Sequence, residues 1–410
     1  MADTPTDTAT DPATAAPRFP MARSAGCPFD PPPALKDLQA AGPLTRVRLW
    51  DGSEPWLVTR YAEQRALLGD PRVSADTDRP GYPAKASPDA GEGKLSFIMM
   101  DDPEHARLRR MVTAPFAVKR VEALRPAVQR IVDGLVDDLL AGPRPVDLVE
   151  EFALPIPSLV ICELLGVPYD DHAFFQANTK TLVHRDATPE QRGRASREVA
   201  AYLAGLVGAR LAQPRDDLLS SLAGRVRGGE LTHEQATEMA LLLLIAGHET
   251  TANMIALGTL ALLEHPDQLA LLRDTEDPGF VARAVEELLR YLHITHLGRR
   301  RAVTADIEVA GQVIRAGEGL VMPNEIGNRD PDVFPDPDRL DLTRDARRHV
   351  AFGFGVHQCL GQPLARMELQ VVYGTLYRRI PGLRLAGALE DVRFKHDAFI
   401  YGVHELPVTW

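Results

Sequence analysis

Cysteine is scarce in this sequence, with only three, Cys27, Cys162 and Cys359, among 410 residues. An odd number at wide spacing fits neither a disulfide framework nor a zinc site, so each cysteine needs a local explanation. Cys162 lies in the apolar run LVICELL, which predicts a buried structural thiol because free cysteines are among the most buried residues. Cys27, in GCPFDPPP, is also predicted to be chemically inert.

The sequence also lacks an excess of positive charge and a long apolar run. Lys and Arg number 46 against 57 Asp and Glu, a net charge of −11, and no basic stretch suggests nucleic-acid binding. The longest apolar stretch, Met239 to Gly247, is far shorter than the ~20 residues that span a bilayer. Residues 1–17 contain neither an apolar run nor a leading positive cluster, which predicts a disordered tail and no signal peptide. We therefore expect a cytoplasmic protein without a membrane anchor.

What the sequence does contain predicts a mainly α-helical fold with a small β region. Short apolar runs alternate with Gly, Pro and Asp over 18–75, and strand and turn signals return over 301–323. Residues 76–100 lack periodicity and indicate a long loop, which in a compact domain is commonly functional. A helix is predicted to start at Asp102, which can cap free amides, and Pro103 suits the first helical position.

The longest helical pattern runs from Thr232 to Glu264 and ends before Pro266. Thr232 and Gln235 have the spacing of a capping box at its start. At 1.5 Å per residue this helix would span roughly 50 Å, enough to cross a whole domain. Apolar residues nearly surround its middle, LLLLIAG, which predicts that this part is buried. Helix is also predicted from about residue 362 to 379.

The strongest chemical signal is FGFGVHQCLG, from Phe352 to Gly361, in which glycines allow a tight turn around Cys359 just before a helix. A thiolate there would meet backbone N–H groups and the amino terminus of a helix, both of which stabilise negative sulfur. Two other interpretations compete with this one. A phosphate-binding loop would need the Gly-Lys-Ser/Thr that is missing here, and the cysteine could be a structural one buried in a turn.

With this loop the sequence resembles the cytochrome P450 family, and several separate motifs match from about residue 20 onward. The resemblance implies a single domain over 18–410 with a triangular helical body, in which haem lies between the long central helix and the helix after the cysteine loop. It implies that Cys359 ligates the iron of haem b, as is known for cysteine-ligated haem in this family. Phe352, Gly353 and Gly361 are then expected around the sulfur and the cofactor.

A second matching motif is AGHETT in the middle of the long helix, where Glu249 and Thr250 resemble the acid–alcohol pair of the family. Thr250 follows Ala246 by four residues, so its hydroxyl can bond that carbonyl and open the helix locally, while Gly247 removes side-chain bulk. The opening would make room for dioxygen, and a hydroxyl backed by a carboxylate would supply protons in an apolar pocket. The alternative is an amphipathic helix with a polar patch.

The third motif is EELLR, where Glu287 and Arg290 share a helical face and can pair. Such a pair is commonly a solvated surface feature, but the resemblance implies a buried structural pair that a later arginine joins. Arg339 in PDRL fits that partner best, and Arg344 is the alternative.

Four basic residues fall where the family binds the two haem propionates, namely His105, Arg109, Arg301 and His357. Arginine suits carboxylates because of its forked donors. The run Arg299–Arg301 offers three candidates for one of these positions. We choose Arg301 because the family's arginine lies five residues before an aspartate, which Asp306 matches here.

The resemblance also implies a substrate pocket, lined by the 76–100 loop, the helices around 172–213, the middle of the long helix, and residues 293–297 and 399–401. The predicted wall residues are Phe97, Ile98, Leu242, Ile245, His293, His296, Leu297 and Ile400. Each could equally be ordinary core, and the two histidines are candidates for orienting a polar group. Local stretches such as AGCPFDPPP resemble the actinobacterial subgroup that oxidises polyketides, macrolides, terpenoids, sterol-like compounds and drugs.

The implied function is that of a haem-thiolate monooxygenase, which inserts one oxygen atom from O2 into an apolar small molecule. No flavin or nicotinamide fingerprint is present, so electrons from NAD(P)H would arrive through a ferredoxin and its reductase. A basic patch that steers an acidic carrier is predicted at Arg107, Arg110, Lys119, Arg347 and Arg348. The alternatives are a haem-binding recruitment or sensing module and a peroxide-driven peroxygenase. We expect a monomer.

Overall fold

The computed structural model describes residues 16–24, 26–83, 96–168, 171–183, 187–396, 398 and 400–410. Its helices are α1 Pro33–Ala41, α2 Tyr61–Gly69, α3 Glu104–Thr113, α4 Val118–Ala141, α5 Pro155–Leu165, α6 His172–Val183, α7 Pro189–Ala212, α8 Leu218–Arg227, α9 His233–Leu263, α10 Pro266–Asp274, α11 Pro278–Tyr291, α12 Asn324–Gly327 and α13 Gln362–Arg379. Its strands are β1 Leu44–Arg46, β2 Trp56–Val58, β3 Val73–Ser74, β4 Val146–Asp147, β5 Arg299–Val303, β6 Ile307–Val309, β7 Gln312–Ile314, β8 Gly319–Met322, β9 Arg384–Leu385 and β10 Pro407–Thr409. Most of the predicted tail and the middle of the predicted 76–100 loop lie outside the described residues.

The main sheet combines strands from both β regions that the sequence predicts. Its order is β1-β2-β8-β5-β3, with β2 parallel to β8 and the other neighbours antiparallel. On β5, Arg301 lies opposite Leu320 and Arg299 lies opposite Met322. Side chains alternate between the two faces of a strand, so Arg299 and Arg301 project from the same face and Arg300 from the other.

Helix α9 begins and ends within one residue of the predicted bounds. The Thr232 side chain accepts from the Gln235 amide at 3.0 Å, and the Gln235 side chain accepts from the Thr232 amide at 2.9 Å, so the capping box is confirmed. The prediction of a fully buried middle is wrong at two positions, since Ile245 is 37% exposed and Ala246 is also exposed. By length and composition α9 would suffice to cross a membrane, but 67% of its most apolar window is buried inside the protein.

Helix α13 packs against α9 and α4 in the main hydrophobic core. Its Tyr373 donates a hydrogen bond to the Met254 carbonyl of α9 at 2.6 Å. A Cβ atom on Gly258 would lie 1.9 Å from the Tyr373 hydroxyl, so the close crossing of the two helices requires a glycine there. The cysteine loop leads directly into α13, so its position depends on the packing of that helix.

Helix α3 begins one residue later than the sequence predicts. Pro103 is its N-cap and Glu104 its first residue, so the proline precedes the helix instead of occupying its first position. The Asp102 carboxylate accepts from the Ala106 amide at 3.0 Å, which confirms the predicted cap. This start places His105 and Arg109 on successive turns of α3.

Candidate active site

The loop before α13 is a tight turn around Cys359. The Cys359 amide donates to the Phe352 carbonyl at 2.9 Å. Gly353 has a φ of 74° and Gly355 a φ of 75°, which is left-handed backbone that favours glycine. A Cβ atom would lie 2.9 Å from Arg299 Cζ at Gly353 and 2.2 Å from a backbone oxygen of α2 at Gly355. Both glycines are therefore needed for the shape of the loop.

Opposing influences act on the sulfur of Cys359. Removal from water raises the pKa of the Cys359 thiol, whereas a hydrogen bond from the Gly361 amide and the charges of Arg299, Arg109 and Arg366 lower it. The side chain nevertheless remains accessible, so it can meet a ligand. A metal ion deprotonates a coordinating thiol outright, and these amide and guanidinium groups would then stabilise the thiolate.

Two imidazoles meet beside this loop. The ring centroids of His105 and His357 are 4.0 Å apart. His105 Nδ1 lies 3.0 Å from the Asp102 carboxylate, which can only accept, while its buried Nε2 has no hydrogen-bond partner among the described residues. Burial and the charge of Arg301 lower the pKa of His357 to about 3. The structure thus brings together His105 and His357, two of the four predicted propionate ligands.

Three guanidinium groups surround the same region. Arg109 donates to the Gln358 carbonyl at 2.5 Å, and Arg301 hydrogen-bonds Tyr82. Arg299 shares the β5 face of Arg301, its charge acts on Cys359, and its buried Nε has no partner in the described part of the chain. Our choice of Arg301 alone therefore missed Arg299. The two-residue alternation of a strand was the available signal.

The hydrogen bond predicted within the AGHETT motif is present, in a helix that runs without interruption from His233 to Leu263. Thr250 donates its hydroxyl to the Ala246 carbonyl at 2.7 Å, which leaves both lone pairs of the hydroxyl oxygen available to other donors. Gly247 faces Ile161 of α5, and a Cβ atom there would lie 3.4 Å from Ile161 Cδ1, which is an ordinary van der Waals contact. Ile245 and Ala246 in the preceding turn are exposed, whereas α9 is buried from Thr251 to Leu262.

Glu249 is the acidic neighbour of Thr250 on the same turn. Burial raises the pKa of the Glu249 carboxyl, while the positive charges of Lys395 and Arg192 lower it. Asn253 donates to the Glu249 carbonyl at 2.8 Å. The Thr250–Ala246 bond is of the same kind, so two side-chain bonds to the backbone carbonyl four residues earlier lie about one turn apart on α9.

The buried ion pair of α11 is confirmed, but its third member differs from the prediction. Arg290 donates to both carboxylate oxygens of Glu287 at 2.7 and 2.8 Å, and both side chains are 0% exposed. The choice of Arg339 is wrong, because its side chain is exposed and only its carbonyl accepts from Arg290. Arg344, the alternative, donates to Glu287 at 3.2 Å. A hydrogen bond from its amide to the Asp341 carbonyl forms the turn that aims Arg344 at Glu287.

The predicted wall residues of the substrate pocket occupy different environments. Ile98 and Ile245 are exposed, whereas the buried ones are Phe97, Leu242, Leu297 and Ile400. His296 Nε2 lies 2.8 Å from the Ala398 carbonyl. His293 is buried, and desolvation followed by the charge of Arg329 lowers its pKa well below the ordinary value. Their roles in a pocket stay a prediction.

Comparison with known proteins gives matches over nearly the whole chain. The family model described as Cytochrome P450 matches residues 45–379. The cytochrome P450 GfsF of Streptomyces halstedii is 57% identical over 100% of both chains, and its crystal structure has a TM-score of 0.93 over 96% of this chain and 100% of that one. The vitamin D3 dihydroxylase of Streptomyces griseolus is 49% identical over 99% of this chain and 100% of its own. The mycinamicin VIII C21 methyl hydroxylase MycCI from Micromonospora griseorubida, solved with mycinamicin VIII, has a TM-score of 0.86 at 44% identity, covering 96% of this chain and 100% of its own.

The fold and the comparisons together define an oxidoreductase of the monooxygenase class. The chain belongs to the cytochrome P450 family, and its relatives are those of actinobacteria. The predicted family, its fold and its enzyme class are thereby confirmed.

The residues around Cys359 fit the haem that this family carries. His105 Nε2 and Arg299 Nε are buried nitrogens without partners in the described residues, and buried polar groups normally have one. Both lie near the cysteine loop, where carboxylate groups of a haem would accept from them. Cys359 supplies the accessible sulfur that an iron requires.

Proposed function

We propose that this cytochrome P450 is a haem-thiolate monooxygenase that binds haem b through Cys359, uses O2 as co-substrate and takes electrons derived from NAD(P)H. When bound, the haem supplies the iron centre at which O2 is activated. One observation carries the proposal: Thr250 bonds the Ala246 carbonyl at the exposed turn of α9, next to the half-buried carboxylic acid of Glu249. A helix that only fills a core needs neither feature.

In this proposal the polypeptide binds the haem both at its iron and at its two propionate groups. The Gly361 amide and the charges of Arg299, Arg109 and Arg366 favour the thiolate of Cys359. His105, Arg109, Arg301 and His357, with Arg299 added, bind the two propionates. Forked guanidinium donors and imidazole N–H groups suit carboxylates. The low pKa of His357 applies to the protein alone, since a propionate beside the ring would favour the imidazolium form.

Glu249 and Thr250 move protons to the reacting oxygen. Burial raises the pKa of the Glu249 carboxyl, which favours the protonated form that a proton donor needs. The Thr250 oxygen accepts a hydrogen bond and holds the proton donor in position. Replacing Thr250 with Ala is expected to leave haem bound and to divert reducing equivalents to peroxide. Unchanged yield of product per NAD(P)H in this variant contradicts the role.

The substrate is proposed to be an apolar small molecule such as a polyketide, macrolide, terpenoid or sterol-like compound, which is most often hydroxylated. Two relatives are named for a macrolide-type and a secosteroid-type hydroxylation. Ile98 and Ile245, which are exposed, are the best candidates for substrate contact. A screen for compounds that displace the water on ferric iron and shift the Soret band will identify the substrate class.

Electrons are proposed to come from a ferredoxin and its reductase. Arg110 and Lys119 are exposed, whereas Arg107 pairs with Glu104 and Arg347 with Asp345. The first two are thus expected to contribute most to steering an acidic carrier. Reversing both charges should raise the KM for ferredoxin several-fold at low salt and little at high salt. An unchanged KM and salt dependence removes the patch from the proposal.

The haem assignment is tested by a Cys359→Ser variant. The wild type is expected to bind haem and to give the carbon-monoxide spectrum of a thiolate complex, and the variant is expected to lose that spectrum. A protein that stays colourless with haemin contradicts the assignment. Haem binding without turnover would favour a recruitment or sensing module, and turnover with peroxide alone would favour a peroxygenase. A cytoplasmic monomer is proposed, which size-exclusion chromatography tests in part.

A further inference from the structure

Lys395 is a buried lysine that approaches the helix turn carrying Glu249 and Thr250. It is 7% exposed, and its ammonium donates to Asn253 Oδ1 at 3.1 Å. Its backbone is held by a hydrogen bond from its amide to the Gly402 carbonyl at 2.8 Å. Burying an ammonium group is costly unless its charge is compensated. The surroundings of Lys395 must therefore contain that compensation.

Asn253 connects Lys395 to the backbone of Glu249. Its side-chain amide accepts from Lys395 through Oδ1 and donates to the Glu249 carbonyl at 2.8 Å through Nδ2. A Cβ atom on Gly402 would lie 1.8 Å from Asn253 Oδ1, so the carboxy-terminal segment can approach only because residue 402 is glycine. Two hydrogen bonds thus join that segment to the turn of α9 that presents the acid.

The charges around the Glu249 carboxyl come from three elements. Lys395 in the carboxy-terminal segment and Arg192 on α7 both lower its pKa against the effect of burial. The neighbouring His248 on α9 has a pKa of about 4 because it is buried, so it is neutral at pH 7. Glu249 in turn raises the pKa of Lys395, which burial lowers. Each of the two groups favours the charged form of the other.

We propose that Lys395 is a positioning residue for proton delivery, which holds the turn of α9 that presents Glu249 through its hydrogen bond to Asn253 and places a positive charge on that side of the turn. The inference rests on the proposed function, in which Glu249 supplies protons. A proton leaves the Glu249 carboxyl toward the Thr250 side, and one from solvent replaces it, so the carboxyl must cycle between both forms. Desolvation alone would hold it protonated, and a proton donor works best when its pKa is near the working pH.

Three substitutions at one position separate charge from hydrogen bonding. Lys395→Met removes both, Lys395→Gln can still donate to Asn253 Oδ1 without a charge, and Lys395→Arg keeps both. Lys36→Met is the matched control, because Lys36 forms a half-exposed ion pair with Asp338 on the surface. All variants are compared as full-length, haem-loaded proteins with equal thiolate spectra.

The first measurement is an infrared pH titration of the Glu249 carboxyl, whose protonated band is assigned by its loss in Glu249→Gln. Removal of the positive charge that acts on this carboxyl should raise the titration midpoint by about one pH unit. We expect this rise in Lys395→Met and Lys395→Gln, and a midpoint near that of the wild type in Lys395→Arg and Lys36→Met. A midpoint that does not move in the Met and Gln variants overturns the proposal.

The second measurement is product formed per NAD(P)H, with the compound that the Soret-shift screen selects. Lys395→Met should lower this ratio several-fold in the wild-type background and cause no further loss in Glu249→Gln. An equal loss in both backgrounds would show a general packing defect and overturn the proposal. If Glu249→Gln and Thr250→Ala leave the ratio unchanged, the proton route of the proposed function fails. If they lower it while Lys395→Met does not, only the inference about Lys395 fails.

Discussion

Two of the regions in which the protein buries charged side chains differ in how those side chains are bonded. In the ion-pair cluster of Glu287, Arg290 and Arg344, the carboxylate accepts from both arginines and from the Asp341 amide. In the α9 turn, Lys395 acts on the Glu249 carboxyl through its charge. The Thr250 and Asn253 side chains of this turn donate hydrogen bonds to backbone carbonyls.

This difference in bonding distinguishes charged side chains that stabilise the fold from those that take part in proton transfer. The Glu287 carboxylate is fully committed to hydrogen bonds with two guanidinium groups and a backbone amide, so its role is to hold the fold together. A buried group that is held near a charge without a direct ion pair has a pKa displaced toward the working pH, which is the usual condition of catalytic acids and bases. We therefore expect substitutions in the ion-pair cluster to affect stability, and those in the α9 turn to affect proton transfer and pH dependence.

The largest effect is expected from Glu287→Gln. This change leaves the 0% exposed guanidinium of Arg290 without its counter-charge, which should cost about 3–5 kcal/mol of unfolding free energy. Glu122→Gln is the matched control, because Glu122 pairs with Arg125 at the same spacing on the surface and should cost at most about 1 kcal/mol. Urea denaturation of the haem-loaded proteins measures both. Equal losses would mean that burial does not distinguish the two pairs.

A smaller, pH-dependent effect is expected at His248 in the α9 turn. The unfolded chain protonates this histidine near pH 6.5, whereas burial lowers the pKa in the folded protein to about 4. Stability is therefore lost as pH falls through this window, by about 3 kcal/mol at its lower end. His248→Gln keeps a donor for the Leu154 carbonyl, which the imidazole bonds at 3.2 Å, and should lack this loss.

The measurement is urea denaturation of both proteins at pH 6.5 and pH 4. The difference in unfolding free energy between them isolates His248, since every other titratable group is common to both. His233→Gln, at an exposed position, should follow the wild type. If His248→Gln loses as much stability as the wild type between the two pH values, the α9 turn does not disfavour a positive charge at His248. The proposed difference between the α9 turn and the ion-pair cluster would then be weaker.

Much of the fold was predictable because local signals decide it. The capping box at Thr232 and Gln235 determines where α9 begins, and the glycines around Cys359 determine the tight turn of that loop. The sheet was only partly predictable. Strand alternation locates β1–β3 and β5–β8, but nothing local indicates that β2 pairs with β8 across more than 250 residues, because that pairing depends on the packing of the whole chain.

The same distinction applies to the site. Thr250 bonds Ala246 within one helical turn, so a four-residue spacing predicts it. Lys395 was missed because its importance comes from what long-range packing places beside it. Lys395 meets Asn253 from 142 residues away. Sequence motifs thus identify the side chains that local geometry positions. The charged residues that support them from distant parts of the chain can be identified only from the three-dimensional structure.

The smallest effect concerns the third member of the ion-pair cluster, where prediction and structure disagree. Arg344 donates to Glu287 from a partly shielded position, so Arg344→Ala should cost about 1–2 kcal/mol of unfolding free energy, between the values for exposed and fully buried pairs. Arg339→Ala should cost less than about 0.5 kcal/mol, as for other surface changes, because the cluster uses only the backbone carbonyl of Arg339. Urea denaturation of the two variants side by side tests this. A larger loss for Arg339→Ala would restore the assignment made from the PDRL motif and show that the exposed guanidinium reaches Glu287 in solution.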